Sequence, residues 1–340
     1  MVLADTAPEV FRSLSLSFFP MIDFARASSC CFPLPDQVPR GLLRGVIAAA
    51  VLVVAGCGGG GGDSMGATGQ ATSTAATPRT PSSAVAPSTS ASVEATPATP
   101  SSACPQHYAL VTPPSVTREG LRPLTRELCY DTFAVLHSGV SRTPLYAAEH
   151  LTRANLALAS MLERIDSFHA ETALPAEERA ELNDYARSGY DRGHMAPNAD
   201  MPTPTAQAQS FSLANMVPQV HANNAGIWSG MEQVARRLAT GDGEVYVVSG
   251  PAFLGTEIKQ VGRVLVPTHL WKVIYRPYTQ QAGAYVIRND DSAAYQVVSI
   301  TALAQSVGID VLPSLPAVVR ETALELPQPT SGATRVTQWP

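Results

Sequence analysis

This sequence is poor in charge and carries no basic excess. Asp, Glu, Lys and Arg make up 15% of its 340 residues, with 23 Lys and Arg against 28 Asp and Glu, for a formal net charge of -5. A protein that clamps duplex nucleic acid by bulk attraction is usually basic, so the balance argues against a broad electrostatic binder. It leaves room for an enzyme that neutralises a few phosphates locally and then releases its product. Cysteine is scarce: the five residues Cys30, Cys31, Cys57, Cys104 and Cys129 form no C-x-x-C units, which argues against a zinc site. There is no internal repeat, and the longest apolar run is too short for a comfortable transmembrane helix, which needs about 20 residues. The length suggests one or two domains.

What is present divides along the chain. Residues 1–57 read as a leader and an export signal. Arg40 and Arg44 precede an apolar run from Gly45 to Val54, which ends in Val54-Ala55-Gly56-Cys57. A basic flank, a short apolar core and small residues before a cleavage point make a secretory signal. The ending resembles the bacterial lipoprotein box, in which the cysteine is acylated and becomes the mature N-terminus; the alternative is a plain signal with an incidental cysteine. Residues 1–39 lie upstream of the usual signal start. Either the true start is downstream or the segment is a translated leader, and Cys30 and Cys31 are then absent from the mature protein. Residues 58–103 are a glycine run followed by Ser, Thr, Ala and Pro, expected to be a disordered tether with a mean reach of roughly 35–40 Å. A spacer of unselected length is an equal alternative.

The folded domain is expected over residues 104–316, with a C-terminal tail over 317–340. Cys104 and Cys129 are its only cysteines. In an exported protein two such residues pair as a disulfide, whereas reduced buried thiols would fit a cytosolic protein. The pattern predicts a strand over 130–137, a helix over 144–151 with Pro144 at its start, and polar, partly helical chain over 153–182, read as a variable insertion. Ile227, Met231, Val234, Ala235 and Leu238 predict an amphipathic helix over 224–239, capped by Asn223 or Asn224 and ended by Gly241. Strands are expected over 244–249, 263–275 and 284–288, and a last helix over 300–307.

Two clusters could carry chemistry. Asp191-Arg192-Gly193-His194 makes a poor core segment. A histidine can take a proton from water near neutral pH, and an arginine can hold a phosphate by two-point contact. Alone, this stretch also reads as an ordinary surface turn. The second cluster is Asn224, Trp228 and Glu232, four residues apart and therefore along one helix face. Asn and Glu offer oxygen atoms that suit a hard cation; Trp228 is expected to brace the helix against the sheet.

Asp191-Arg192-Gly193-His194, followed by Asn215-x-x-Pro218-Gln219 and by Asn224-x-x-x-Trp228-x-x-x-Glu232, resembles the DNA/RNA non-specific endonuclease family, which is endonuclease G-like. Cys129-Tyr130-Asp131, Arg142-Thr143-Pro144-Leu145-Tyr146, Tyr246 to Phe253 and Val266 to Val273 extend the resemblance over about residues 104–316. It implies an α+β fold with a ββα-metal, or His-Me finger, core in a larger mixed sheet-and-helix domain. It also implies roles: His194 as general base, Asn224 as direct ligand of one Mg²⁺ with Mn²⁺ as a substitute, and Glu232 holding metal-bound water. Arg192 would bind the scissile phosphate, and Arg142 matches the family's second such arginine. Asp191 would orient its neighbours, and Asn215, Gln219 and Arg236 match polar positions near the substrate. The products would carry 5′ phosphates. His107, His137, His150 and His169 have no motif support as catalysts; His221, close to the site in sequence, is expected to be structural with substrate contact as the alternative, and His269 is expected to be packed.

The implied partners are DNA and RNA, and a membrane through lipid at Cys57. A homodimer is compatible with the sequence, and no protein partner is identifiable from it. Competing readings are a nuclease restricted to one nucleic acid, a tethered nucleic-acid-binding lipoprotein without catalysis, and a structural envelope lipoprotein. Export would keep a nuclease away from its own genome. Gly58 in place of aspartate after Cys57 favours an outer membrane over an inner one.

Overall fold

The structure is a computed structural model that describes residues 101–338. The leader, the export signal with Cys57 and nearly all of the expected tether lie outside the described residues. Among the described residues, no helix is long and apolar enough to cross a membrane.

The first strands are β1 (Thr125–Cys129), β2 (Phe133–Ser138) and β3 (Thr143–Thr152), followed by helix α1 (Arg153–Ala159). After a long irregular stretch come β4 (Asp191–His194) and β5 (Met216–Gln219), then a π-helical turn over Asn223–Trp228 that runs into α2 (Ser229–Asp242). The chain continues through β6 (Glu244–Ala252), β7 (His269–Arg276), β8 (Gln281–Arg288), β9 (Ala294–Val298), α3 (Ile300–Val307), α4 (Ala317–Glu321) and β10 (Thr334–Arg335). Eight of these strands make one sheet in the order β10-β9-β8-β7-β6-β3-β2-β1, antiparallel except for the β9–β10 pair. β4 and β5 form a separate two-stranded ribbon. Mixed sheet and helix, with the ββα unit of β4, β5 and α2, make this an α+β fold.

Strand alternation sends side chains to opposite faces of the sheet. On one face Ala147, Leu151, Val245, Val247, Leu270 and Ile274 pack against Trp228, Met231, Val234 and Ala235 of the ββα helix. On the other, Ala148, Val248, Trp271, Val273 and Val286 pack against Ile300, Leu303 and Val307 of α3. α3 is bounded as expected from its sequence: the Ser299 hydroxyl accepts from the Ala302 N–H, and Gly308 ends the helix at φ 77°. The Cys104–Cys129 disulfide ties the N-terminal segment to the edge strand β1.

Several elements differ from expectation. Residues 144–151 are strand, not helix. Alanine and glutamate there favour a helix locally, but β3 is hydrogen-bonded on both sides by β2 and β6 and is buried through most of its length, so tertiary pairing wins over propensity. Pro144 sits just after a register shift in the β2–β3 pairing, opposite His137, where a missing N–H is tolerated. The strand expected over 130–137 starts at Phe133, after a turn. The one expected over 263–275 is two pieces, a short Val264–Leu265 ribbon strand and β7, separated by Pro267. The helix over 224–239 begins as a π turn with no side-chain cap, passes through Gly241 and stops at Gly243, φ 103°. The segment after residue 316 packs on the domain: Leu324, Leu326 and Ala333 are buried with the α2 face, and the Tyr285 hydroxyl donates to the Pro327 carbonyl. This segment also crosses Gly230 at the start of α2, where a Cβ would lie 2.6 Å from the Pro329 carbonyl oxygen.

Candidate active site

The ribbon places the first cluster. β4 and β5 pair Asp191 with Gln219, Arg192 with Pro218, Gly193 with Val217 and His194 with Met216. Gly193 lies within the strand, and a Cβ there would sit 1.9 Å from Gln219 Oε1. Close approach, not a turn, is what requires glycine. Gln219 is fully buried and donates to Asn223 Oδ1 at 2.7 Å, and Asn223 in turn donates to the Arg288 carbonyl at 2.8 Å. Asn215 is also fully buried. Its amide donates to the Ala196 and Ser210 carbonyls and its oxygen accepts from the Ala196 N–H, all within 2.9 Å. Both residues therefore hold the chain around His194 and do not reach the surface where substrate would lie.

The wide π turn brings the second cluster to the first. Such turns often occur at functional sites. Trp228 is fully buried and its indole N–H donates to the His194 carbonyl at 3.0 Å. Asn224 donates from Nδ2 to Asp191 Oδ2 at 2.9 Å, and His221 Nδ1 meets the same oxygen at 2.9 Å. Asp191 thus orients two neighbours. Asn224, Asp191 and Arg192 line a cavity of about 580 Å³, together with Arg164, Phe168, Arg187 and Tyr190.

His194 lies behind this cavity. It is 8% exposed, its ring flanked by Phe211 at 5.0 Å and Phe168 at 5.8 Å between centroids. Burial lowers its pKa to about 3, with the Arg164 charge adding to the effect, so the imidazole is neutral at neutral pH. Its Nε2 has no hydrogen-bond partner. Arg192 rests its guanidinium 4.1 Å above the Phe168 ring, on the cavity side.

Beneath α2 lies a layer of charge. Glu232 is half-buried, forms no hydrogen bond among the described residues, and is pushed up to about 7 by burial against the pull of Lys272 and Arg236. Arg236 donates to the buried Asp200 carboxylate at 2.8 Å. Lys272, 1% exposed, donates to Ser249 Oγ at 2.6 Å and sits 4.5 Å from the Trp228 ring. Glu149, also 1% exposed, shares this layer, and burial pushes its carboxyl well above the usual range.

Arg142 does not join the site. Its guanidinium clasps the Glu177 carbonyl from two nitrogens and the Arg263 carbonyl from a third, pinning the loop after β2. Beside Arg192 the cavity is lined by Arg164 and Arg187, neither of which the sequence pattern marks. Arg164 lies in the segment taken as an insertion, where no periodicity or spacing marks it. Lys272 was missed as well, although a lysine inside the apolar run Val266 to Val273 is a visible anomaly. Arg236 is half-buried and engaged with Asp200, so it supports the helix from below.

A ribbon and helix that bring Arg192, His194 and Asn224 together agree with the motif order. Residues 116–318 match the DNA/RNA non-specific endonuclease family. The chain belongs to this family. Among its relatives are the mitochondrial nuclease EXOG of Danio rerio, 34% identical over 47% of this chain and 51% of the relative. Nuclease C1 of Cunninghamella echinulata var. echinulata is 36% identical over 46% of this chain and 67% of the relative. The nuclease of Nostoc sp. is 34% identical over 49% and 61%. The chain spans about half the length of the first of these endonuclease-family relatives. A crystal structure of an EndoG/EndoGI complex covers 57% of this chain and 88% of its own, with TM-score 0.48 and 26% identity.

Proposed function

We propose that this chain is a divalent-metal-dependent endonuclease that hydrolyses the phosphodiester bonds of DNA and RNA and leaves 5′ phosphates. The observation that carries this reading is the ββα unit, in which one ribbon and one helix bring a neutral, buried histidine and an asparagine oxygen beside free arginine at a cavity. The donor set fits a hard cation with few protein ligands. Asn224 lines the cavity, and among the described residues neither its Oδ1 nor the half-buried Glu232 carboxylate makes a hydrogen bond. Among the described residues, the one grouping of three His, Cys, Asp or Glu ligands is Cys104, Glu127 and Cys129, and its cysteines are spent on the disulfide. Asn224 would hold Mg²⁺, or Mn²⁺ in its place, and Glu232 a water on it; bound there, the ion would neutralise phosphate charge.

The chain's own residues supply the rest. His194 accepts the proton of the attacking water, its neutral form secured by burial. Trp228 fixes the His194 backbone and Asp191 fixes the Asn224 amide. Arg192 and Arg164 hold the scissile phosphate as charge grows on it. The test is cleavage of circular DNA and of RNA by His194→Ala with Mg²⁺. Loss of about 10²–10⁴-fold in rate with unchanged melting is expected, and undiminished degradation would overturn the assignment.

The disulfide fits an oxidising compartment. We place the protein outside the cytoplasm as a lipoprotein anchored at Cys57, degrading external nucleic acid. Incorporation of labelled palmitate that persists in Cys57→Ala would sink the anchor.

A further inference from the structure

The cavity is larger than one phosphate requires. At about 580 Å³ it falls in the range that encloses a whole small-molecule ligand. Three cations line it, Arg164, Arg187 and Arg192, against one carboxylate, Asp191, which is engaged with Asn224 and His221. Arg164 is held by Asp166 and Asn198, and Arg192 lies on Phe168. Arg187 differs from both. Among the described residues its side chain makes no hydrogen bond or ion pair, and its backbone sits at φ 56°, a left-handed conformation that costs a non-glycine residue free energy. It stands two residues before Gly189, φ 80°, in the turn between the short helix Leu182–Tyr185 and β4.

Tyr190, at the end of that turn, lines this cavity and a second one of about 250 Å³. The second cavity carries Lys259 and Arg288 beside Glu257 and Asp290, with Arg288 paired to Asp290 at 3.0 Å. Among the described residues, the Tyr190 ring packs on no other aromatic ring and its hydroxyl makes no hydrogen bond. An unpartnered aromatic face between two polar cavities, with a free arginine three residues away, has the chemistry of a single-stranded nucleic acid track. Bases stack on aromatic rings with little sequence preference, and arginine takes the phosphate between them.

We propose that the 187–190 turn is a flanking-nucleotide subsite: Arg187 binds the phosphate next to the scissile one, and Tyr190 stacks the base of a strand crossing from the first cavity to the second. This rests on the nuclease reading and assigns a substrate contact to two residues that lie outside the Asp191–His194 cluster. It makes the enzyme prefer a strand of several nucleotides over a dinucleotide.

The test measures binding of fluorescein-labelled hexathymidylate to the full chain carrying His194→Ala, with Mg²⁺, by anisotropy across a salt series. Adding Tyr190→Ala should weaken binding about 5- to 150-fold, the loss of one stacked base, and Tyr190→Phe should restore it. Adding Arg187→Gln should lower the slope of log affinity against log salt by about 0.7, one phosphate contact on a single strand. Neither change should alter the melting temperature of the protein. Unchanged affinity in Tyr190→Ala together with an unchanged slope in Arg187→Gln would overturn the subsite. Cleavage by the chain with native His194, assayed in parallel, separates the two failures: intact DNA and RNA in that assay would instead bring down the nuclease reading itself.

Discussion

On the α3 side of the central sheet, Ala148, Val248, Trp271 and Val273 pack in an apolar cluster. One residue along each of the same strands, on the α2 side, stand Glu149, Ser249 and Lys272. The two faces are made by the same strands, yet one is an ordinary hydrophobic layer and the other buries charge under the helix that bears Asn224 and Glu232. Burying ions is expensive, and an apolar substitute of similar shape is often as stable. The difference teaches that the α2 face is built for position. Lys272 supports the Trp228 ring, Trp228 holds the His194 carbonyl, and Arg236 with Asp200 fixes the helix one turn past Glu232.

The comparison breaks most sharply at Lys272. Lys272→Met leaves Glu149 and Asp200 facing Arg236, and Glu232 facing Arg236 and Arg164, and breaking a buried charge network in this way costs about 3–5 kcal/mol. Denaturant unfolding should show that loss, and the fraction that remains folded should cleave poorly. On the other face Leu303→Ala should cost a comparable ~2–5 kcal/mol through lost packing. There, turnover per folded molecule should stay near the native value. Equal catalytic damage from both variants would erase the distinction between the faces.

A smaller effect sharpens the position of His194. Phe168 and Phe211 enclose its ring, and burial is the main reason its pKa is low. Phe168→Ala should open one side to water and raise the pKa from about 3 toward the ordinary histidine value, followed by proton NMR of the ring. An unmoved titration would mean that Phe211 and the backbone alone exclude water.

The smallest effect lies at the far end of α2. Hydrogen bonding from Arg276 holds the Asp242 carboxyl below its usual value, at 2.6 and 2.9 Å. A carboxylate with a depressed folded-state pKa contributes stability above its unfolded value and loses it as pH falls through the folded one. Asp242→Asn should therefore melt lower than the native chain near neutral pH, and the gap should close in acid. A gap independent of pH would assign the pair's contribution to packing.

Much of the site was legible because it is written in short-range motifs. Asp191 to His194 occupy one strand; four-residue spacing put Asn224, Trp228 and Glu232 on one helix face, and the resemblance to the family joined the two clusters. α3 was legible through its serine cap and glycine stop. Arg164 was not, since it reaches the cavity from irregular chain whose path depends on packing with Asn198 and Phe211. Arg142 was misplaced because its neighbours Thr143 to Tyr146 match the family pattern, while its side chain turns to backbone carbonyls that only the fold brings near. The strand over Pro144 to Leu151 was hidden by residues that prefer helices, and its identity comes from two neighbouring strands more than 100 residues apart in their farthest pairing.

The chain beyond residue 318, outside the segment that matches the family, has a mechanical consequence. It straps over Gly230 at the root of α2, fills the α2 face with Leu324 and Leu326, and supplies β10 as the last strand of the sheet. A protein cut at the family boundary would expose an apolar face and leave β9 as a bare strand edge, a template for pairing with other chains. The smallest unit that can be handled as a soluble piece therefore ends beyond β10, not where the family resemblance stops.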